Sequence, residues 1–121
     1  MVRPVETREA ARRWAKTWAR GWNKHDAQAV LALYAERAHW SQSPFREPEA
    51  PRDYLERVFA EEVSAQASFE EPLVDGDRAA IEWRGDTKLT DGGEEQLAGV
   101  SLVRFDDDGL VVEQHDFWNS R

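Results

Sequence analysis

Two hydrophobic periods divide the chain near residue 62: apolar residues recur at helical spacing before it and alternate with polar ones after it. Ala11, Trp14, Ala15, Trp18 and Trp22 fall on one face of a first helix, predicted to open at Pro4 and run to about Asn23. Asn23-Lys24-His25-Asp26 breaks that pattern, and Asp26 is a suitable N-cap for a second helix. This helix carries Val30, Leu33 and Tyr34 and is expected to end near Arg37. Ala38–Gln42 reads as a short extended piece and Ser43–Pro48 as a rigid loop. Pro51 opens a third helix with Tyr54, Leu55, Val58 and Phe59 on its buried side.

Beyond Glu62 the predicted strands are Ser64–Asp75, Arg78–Thr90, Glu94–Asp106 and Leu110–Asn119. Asp75-Gly76-Asp77, Asp91-Gly92-Gly93 and Asp107-Asp108-Gly109 separate them as hairpin signals. Helices grouped ahead of an antiparallel meander give an α+β fold. There is no repeat, low-complexity tract or linker, so residues 1–121 are expected to form one domain. The third of these strands is apolar on both faces, with Ala98, Val100 and Leu102 on one and Leu97, Val103 and Phe105 on the other. Helices cover only one face of a sheet, so a homodimer burying the outer face is expected.

Composition narrows the function. Sixteen basic against twenty-four acidic residues give a net charge of −8, which argues against nucleic-acid and anionic-membrane partners. Residues 1–24 carry seven basic and two acidic side chains, the remainder nine and twenty-two, so the basic first helix is expected to pack beside the acidic remainder, the other reading being a contact for an acidic partner. No apolar run reaches membrane-spanning length and the N-terminus is polar, giving a cytoplasmic expectation. The absence of cysteine removes disulfides, thiolate metal sites and Cys nucleophiles.

The sequence also lacks a P-loop and a Gly-x-Gly-x-x-Gly motif, so no cofactor is expected. His25, His39 and His115 are far apart, so no metal site is expected either. The remaining chemistry is acid–base work by groups held in apolar walls. Strand alternation puts Gln114, Asp116 and Trp118 on one face with Leu110 and Val112, and Glu82, Arg84, Asp86 and Lys88 on one face of the second long strand. Arg84 two residues before Asp86, joined by Asp116, would set two carboxylates around one guanidinium and hold a carboxylate ionised. The opposite reading makes Arg84 and Asp86 a solvated face, because turning them inward would turn Ile81 and Trp83 outward. Asp116, amid Val112, Phe117 and Trp118, requires a partner or a pocket. Trp14, Trp18 and Trp22 read as core, with one of them free to serve a ligand as well.

The element order, with Trp22–Asp26, Ala32–Glu36, Asp75–Ala80, Phe105–Val111 and Asp116–Asn119, resembles the SnoaL-like proteins of the nuclear transport factor 2-like superfamily. The resemblance implies a cone: a curved sheet wrapped around three N-terminal helices, with a pocket at its open end. Arg84-Gly85-Asp86 and His115-Asp116-Phe117-Trp118 are also similar to the site of limonene-epoxide-hydrolase-like members. There an Asp–Arg–Asp trio activates a water and protonates an epoxide, which would make Asp116, Arg84 and Asp86 catalytic, with the base at Asp116. The water-holding tyrosine and asparagine of that group fall on Trp40 and Gln42, so these depart from the pattern. The base of ketosteroid-isomerase-like members is absent, Gln42 and Ser43 occupying its stretch, whereas His39 with Asp116 resembles a scytalone-dehydratase-like pair, and Asp116 alone would serve a cyclase.

The expectation is a small hydrophobic molecule bound near Trp18, Trp40, Gln42 and Trp118, with cofactor-independent acid–base chemistry of epoxide hydrolase, cyclase or isomerase type. The alternatives are a non-catalytic binding pocket and a protein-interaction domain.

Overall fold

The structure, a computed structural model, describes residues 5–121. Helix α1 spans Thr7–Lys24, α2 Ala27–Leu31 and α3 Pro51–Glu61. The strands are β1 Tyr34–Ser41, β2 Glu62–Phe69, β3 Leu73–Asp75, β4 Arg78–Leu89, β5 Glu94–Phe105 and β6 Val111–Ser120. They form one sheet in the order β1-β6-β5-β4-β2, with β3 also paired to β4. All pairs are antiparallel except β1 with β6. This is the α+β arrangement of the sequence reading, with one long and two short helices.

Helix α1 buries Trp14, Trp18 and Trp22 against the sheet, as their spacing requires. Its expected start at Pro4 lies outside the described residues. It ends at His25, whose φ of 52° places it in the left-handed region and whose N–H returns to the last helical turn. The Asp26 side chain accepts from the Ala29 N–H at 3.1 Å and caps α2.

That second helix is much shorter than predicted. Leu33 and Tyr34 are buried, but Tyr34 already belongs to β1, where pairing to β6 replaces the helical turn. The first predicted strand is in fact two. Pro72 has no N–H to give the ladder, and the chain leaves it between Phe69 and Leu73 before rejoining β4. The alternation in β6 also slips at its start. Arg104 faces Glu113 but Phe105 faces Val111, so Val112 is the extra residue and Val111 points into the core instead.

Strand β4 settles its own faces. Ala79, Ile81, Trp83, Gly85 and Thr87 are buried, while Glu82, Arg84, Asp86 and Lys88 are exposed. Gly85 is inside because a Cβ there would come within 2.9 Å of the Trp22 ring. The glycine is the seat of an indole.

Candidate functional site

A cavity of about 260 Å³ opens between α1, α3 and the inner face of the sheet. Its walls are aromatic: Trp18, Trp22, Trp40, Tyr54, Trp83 and Trp118 all contribute. Adjacent rings meet edge-on, Trp18 and Trp40 at 5.6 Å between centroids and Trp22 and Trp83 at 5.8 Å.

Asp116, 7% exposed, stands in this wall. Its Oδ1 accepts from Ser101 Oγ at 2.6 Å and from Gln114 Nε2 at 3.0 Å, and its Oδ2 accepts from Trp40 Nε1 at 2.6 Å. Ser101 faces Asp116 directly across β5 and β6, and Trp40 comes from the parallel neighbour β1. Trp83 Nε1 donates to Ser101 at 3.0 Å, and Gln114 Oε1 accepts from Trp14 Nε1 at 3.2 Å and from the Tyr34 hydroxyl at 2.5 Å. An indole nitrogen only donates, so Trp14 fixes which end of the Gln114 amide faces Asp116. Each carboxylate oxygen has two lone pairs, so Oδ2 keeps one free. Burial pushes the Asp116 carboxyl up to about 6, against the lowering effect of its three donors. The phenol of Tyr54, which packs edge-on against Trp40 at 4.6 Å, is also pushed up, first by burial and then by the Asp116 charge. It is a neutral hydroxyl at any working pH.

The Asp–Arg–Asp trio does not assemble. Arg84 and Asp86 project from the opposite face of the sheet into solvent, because Ile81, Trp83 and Gly85 occupy the inner face. Asp116 is held by neutral donors in place of a guanidinium, and its proton affinity is raised where a salt bridge would lower it. A pairing of His39 with Asp116 fails for the same reason: His39 is exposed, one residue out of phase with the buried Trp40. His115 lies on the outer face beside Glu113, 3.1 Å away.

Of the residues expected to meet a ligand, Trp18, Trp40 and Trp118 line the cavity. Gln42 is fully buried, but it is not among the lining residues. Its side-chain amide donates to the Trp40 backbone carbonyl at 3.1 Å, and its backbone carbonyl accepts from Trp118 Nε1. Gln42 therefore ties the loop after β1 to β6.

A second carboxyl in the wall escaped the sequence reading. Glu62, 8% exposed, opens β2 and accepts from Trp22 Nε1 at 3.0 Å. Burial, the dominant cause, pushes it up to about 7; the Trp22 bond opposes this and Glu95 and Glu61 reinforce it. The signal available was its position at the change of hydrophobic period, where a charged residue passes from helix to strand. Among the described residues no three His, Asp or Glu side chains gather as metal ligands, and no helix is long and apolar enough to cross a membrane.

Comparison with known proteins agrees with this architecture. Residues 11–114 match the SnoaL-like domain family. Among solved structures, PrhC from Penicillium brasilianum NBRC 6234 is 21% identical with a TM-score of 0.79, over 94% of this chain and 83% of that one. BvnE pinacolase from Penicillium brevicompactum is 15% identical with a TM-score of 0.77, over 93% and 85%. An NTF2-like protein of unknown function from Burkholderia pseudomallei K96243 is 16% identical with a TM-score of 0.75, over 95% and 92%. At these identities the likeness is one of fold. No curated protein matches the sequence. With most of its length matched by the family and its helices and mixed sheet arranged as in these structures, the chain belongs to the SnoaL-like domain family and has the nuclear transport factor 2-like fold.

Proposed function

We propose that this SnoaL-like domain, with residues 1–121 as one functional unit, is a cofactor-independent enzyme of isomerase or cyclase type acting on a small hydrophobic carbonyl compound. The observation that carries this reading is Asp116: a carboxyl with proton affinity near neutrality, one lone pair free, in the wall of an aromatic cavity. A base poised near the working pH moves protons efficiently in both directions. Asp116 takes a proton from carbon beside the carbonyl; the C–H pair becomes the new C=C bond and the carbonyl π pair moves to oxygen. The neutral Tyr54 hydroxyl in the same wall is a donor for that oxygen. The shared fold with BvnE, a pinacolase, supports an enzymatic use of such a cavity. The cavity lies just below the roughly 300–1,000 Å³ of common small-molecule sites, so the substrate is small.

The test uses 2-tetralone, a flat enolisable ketone. Wild-type protein should accelerate hydrogen–deuterium exchange beside the carbonyl, read by NMR, and Asp116→Asn should lose at least a hundredfold while still binding the probe. Equal rates with equal binding favour the second reading, a non-catalytic pocket for the same class of ligand, which the number of indole rings in the wall also suits.

We further propose a homodimer through the outer sheet face, where Leu102 is 43% and Phe117 45% exposed beside Val100. A cytoplasmic setting, with no nucleic-acid or membrane partner, agrees with the acidic balance of the chain.

A further inference from the structure

Glu62 and Asp116 belong to different ends of the cavity. Three strand steps separate them in the sheet, β6 to β5 to β4 to β2. Nothing in the acid–base reading uses Glu62, yet its surroundings are built rather than incidental. Trp22 holds it from α1, and the His25 imidazole lies with Nε2 3.3 Å from Glu62 Oε1. His25 is the one non-glycine among the described residues with positive φ, a conformation that costs a side chain energy and that glycine or asparagine adopts more readily. Its ring is stacked on Phe59 with centroids 4.9 Å apart. The buried Nε2 has no hydrogen-bond partner among the described residues, its geometry to Glu62 being too poor for one.

Glu62 lines the cavity, and its carboxylate has about four acceptor sites, of which Trp22 Nε1 takes one or two, so it can accept a further hydrogen bond from a ligand. A buried acceptor left unpaired costs free energy that an incoming hydroxyl recovers. The aromatic walls leading to it favour a flat ring as the bearer of that hydroxyl.

We propose that Glu62, with His25 behind it, forms a distal subsite for a phenolic hydroxyl, so that the ligand class is a ring compound with a carbonyl at the Asp116 end and a hydroxyl at the other. This rests on the ligand-binding reading of the cavity and not on the catalytic role of Asp116. Charged and titratable groups around the subsite are Glu61 at the end of α3, Glu95 on β5, His25 itself, and Tyr54 of α3, which feels the Glu62 charge.

The experiment compares 2-tetralone, 6-hydroxy-2-tetralone and 6-amino-2-tetralone by quenching of tryptophan fluorescence at pH 8. Wild-type protein should bind the hydroxy compound about tenfold or more tighter than the parent, the range expected of a hydrogen bond to a charged group. Glu62→Gln, which keeps an acceptor for Trp22, should shrink that advantage to below threefold. His25→Asn, suited to the left-handed backbone, should reduce it by a smaller factor. The advantage should also fall as pH drops from 8 to 6 in the wild type and stay flat in Glu62→Gln. Equal binding of hydroxy and parent compounds by the wild type, equal weakening of both by Glu62→Gln, or preference for the amine would each overturn the subsite while leaving the cavity reading intact. Failure of all three to bind would overturn the cavity reading and the subsite together.

Discussion

The Trp40 indole donates to Asp116 Oδ2 at 2.6 Å, at the position where the resemblance to epoxide-hydrolase-like members had placed a water-holding tyrosine. The aromatic ring here binds the acid itself. Trp40→Phe removes a charge-assisted donor and leaves the carboxylate less stabilised, so the Asp116 carboxyl should titrate above its present value of about 6. NMR titration of the side-chain carboxyl would measure the rise; an unchanged or lower midpoint would contradict this account of the site.

Both buried carboxyls make stability depend on pH in one direction. Their folded-state proton affinities exceed the unfolded ones, Asp116 rising from 3.8 to about 6 and Glu62 from 4.5 to about 7. The unfolded chain therefore releases these protons first, and the stabilising contribution is present below about pH 4 and lost as pH rises towards 7. Each group accounts for at most roughly 3 kcal/mol. Thermal melts should show a lower Tm at pH 7.5 than at pH 5, with the slope reduced in Asp116→Asn and again in Glu62→Gln. A slope that both variants leave intact would assign the effect to the surface charges.

Gly85→Val should destabilise the fold by about 1–3 kcal/mol, since its side chain would start 2.9 Å from the Trp22 ring. Urea denaturation measures the loss. Because Trp22 also holds Glu62, the same substitution should disturb the Glu62 titration, which a purely local clash would not do.

Arg84→Ala and Asp86→Asn test the correction to the trio. Both side chains are exposed on the outer face, so each change should stay within about 0.5 kcal/mol in stability and leave tetralone exchange unaltered. A hundredfold loss of exchange on either change would restore them to the site.

Leu102→Glu would bury a charge in the proposed dimer face. Light scattering at micromolar concentration should show a dimer for the wild type and a monomer for this variant. A monomeric wild type removes the proposal.

Periodicity in the sequence determined the helix of tryptophans, the three hairpins and the α+β class, because a buried stripe recurs every three to four residues and a half-buried strand every two. It also placed Gln114, Asp116 and Trp118 together on one face. It could not decide which face of β4 was inner. The same alternation serves Arg84 with Asp86 or Ile81 with Trp83, and the choice fell to the space that Trp22 takes over Gly85. The short second helix was lost to strand pairing, which is a tertiary interaction that no local propensity reports. Glu62, His25 and Ser101 entered the picture only through partners 15 to 40 residues away: Ser101 through Asp116 and Glu62 through Trp22. Burial sets the chemistry of those carboxyls, and burial is a property of the closed cavity, not of the residues that line it.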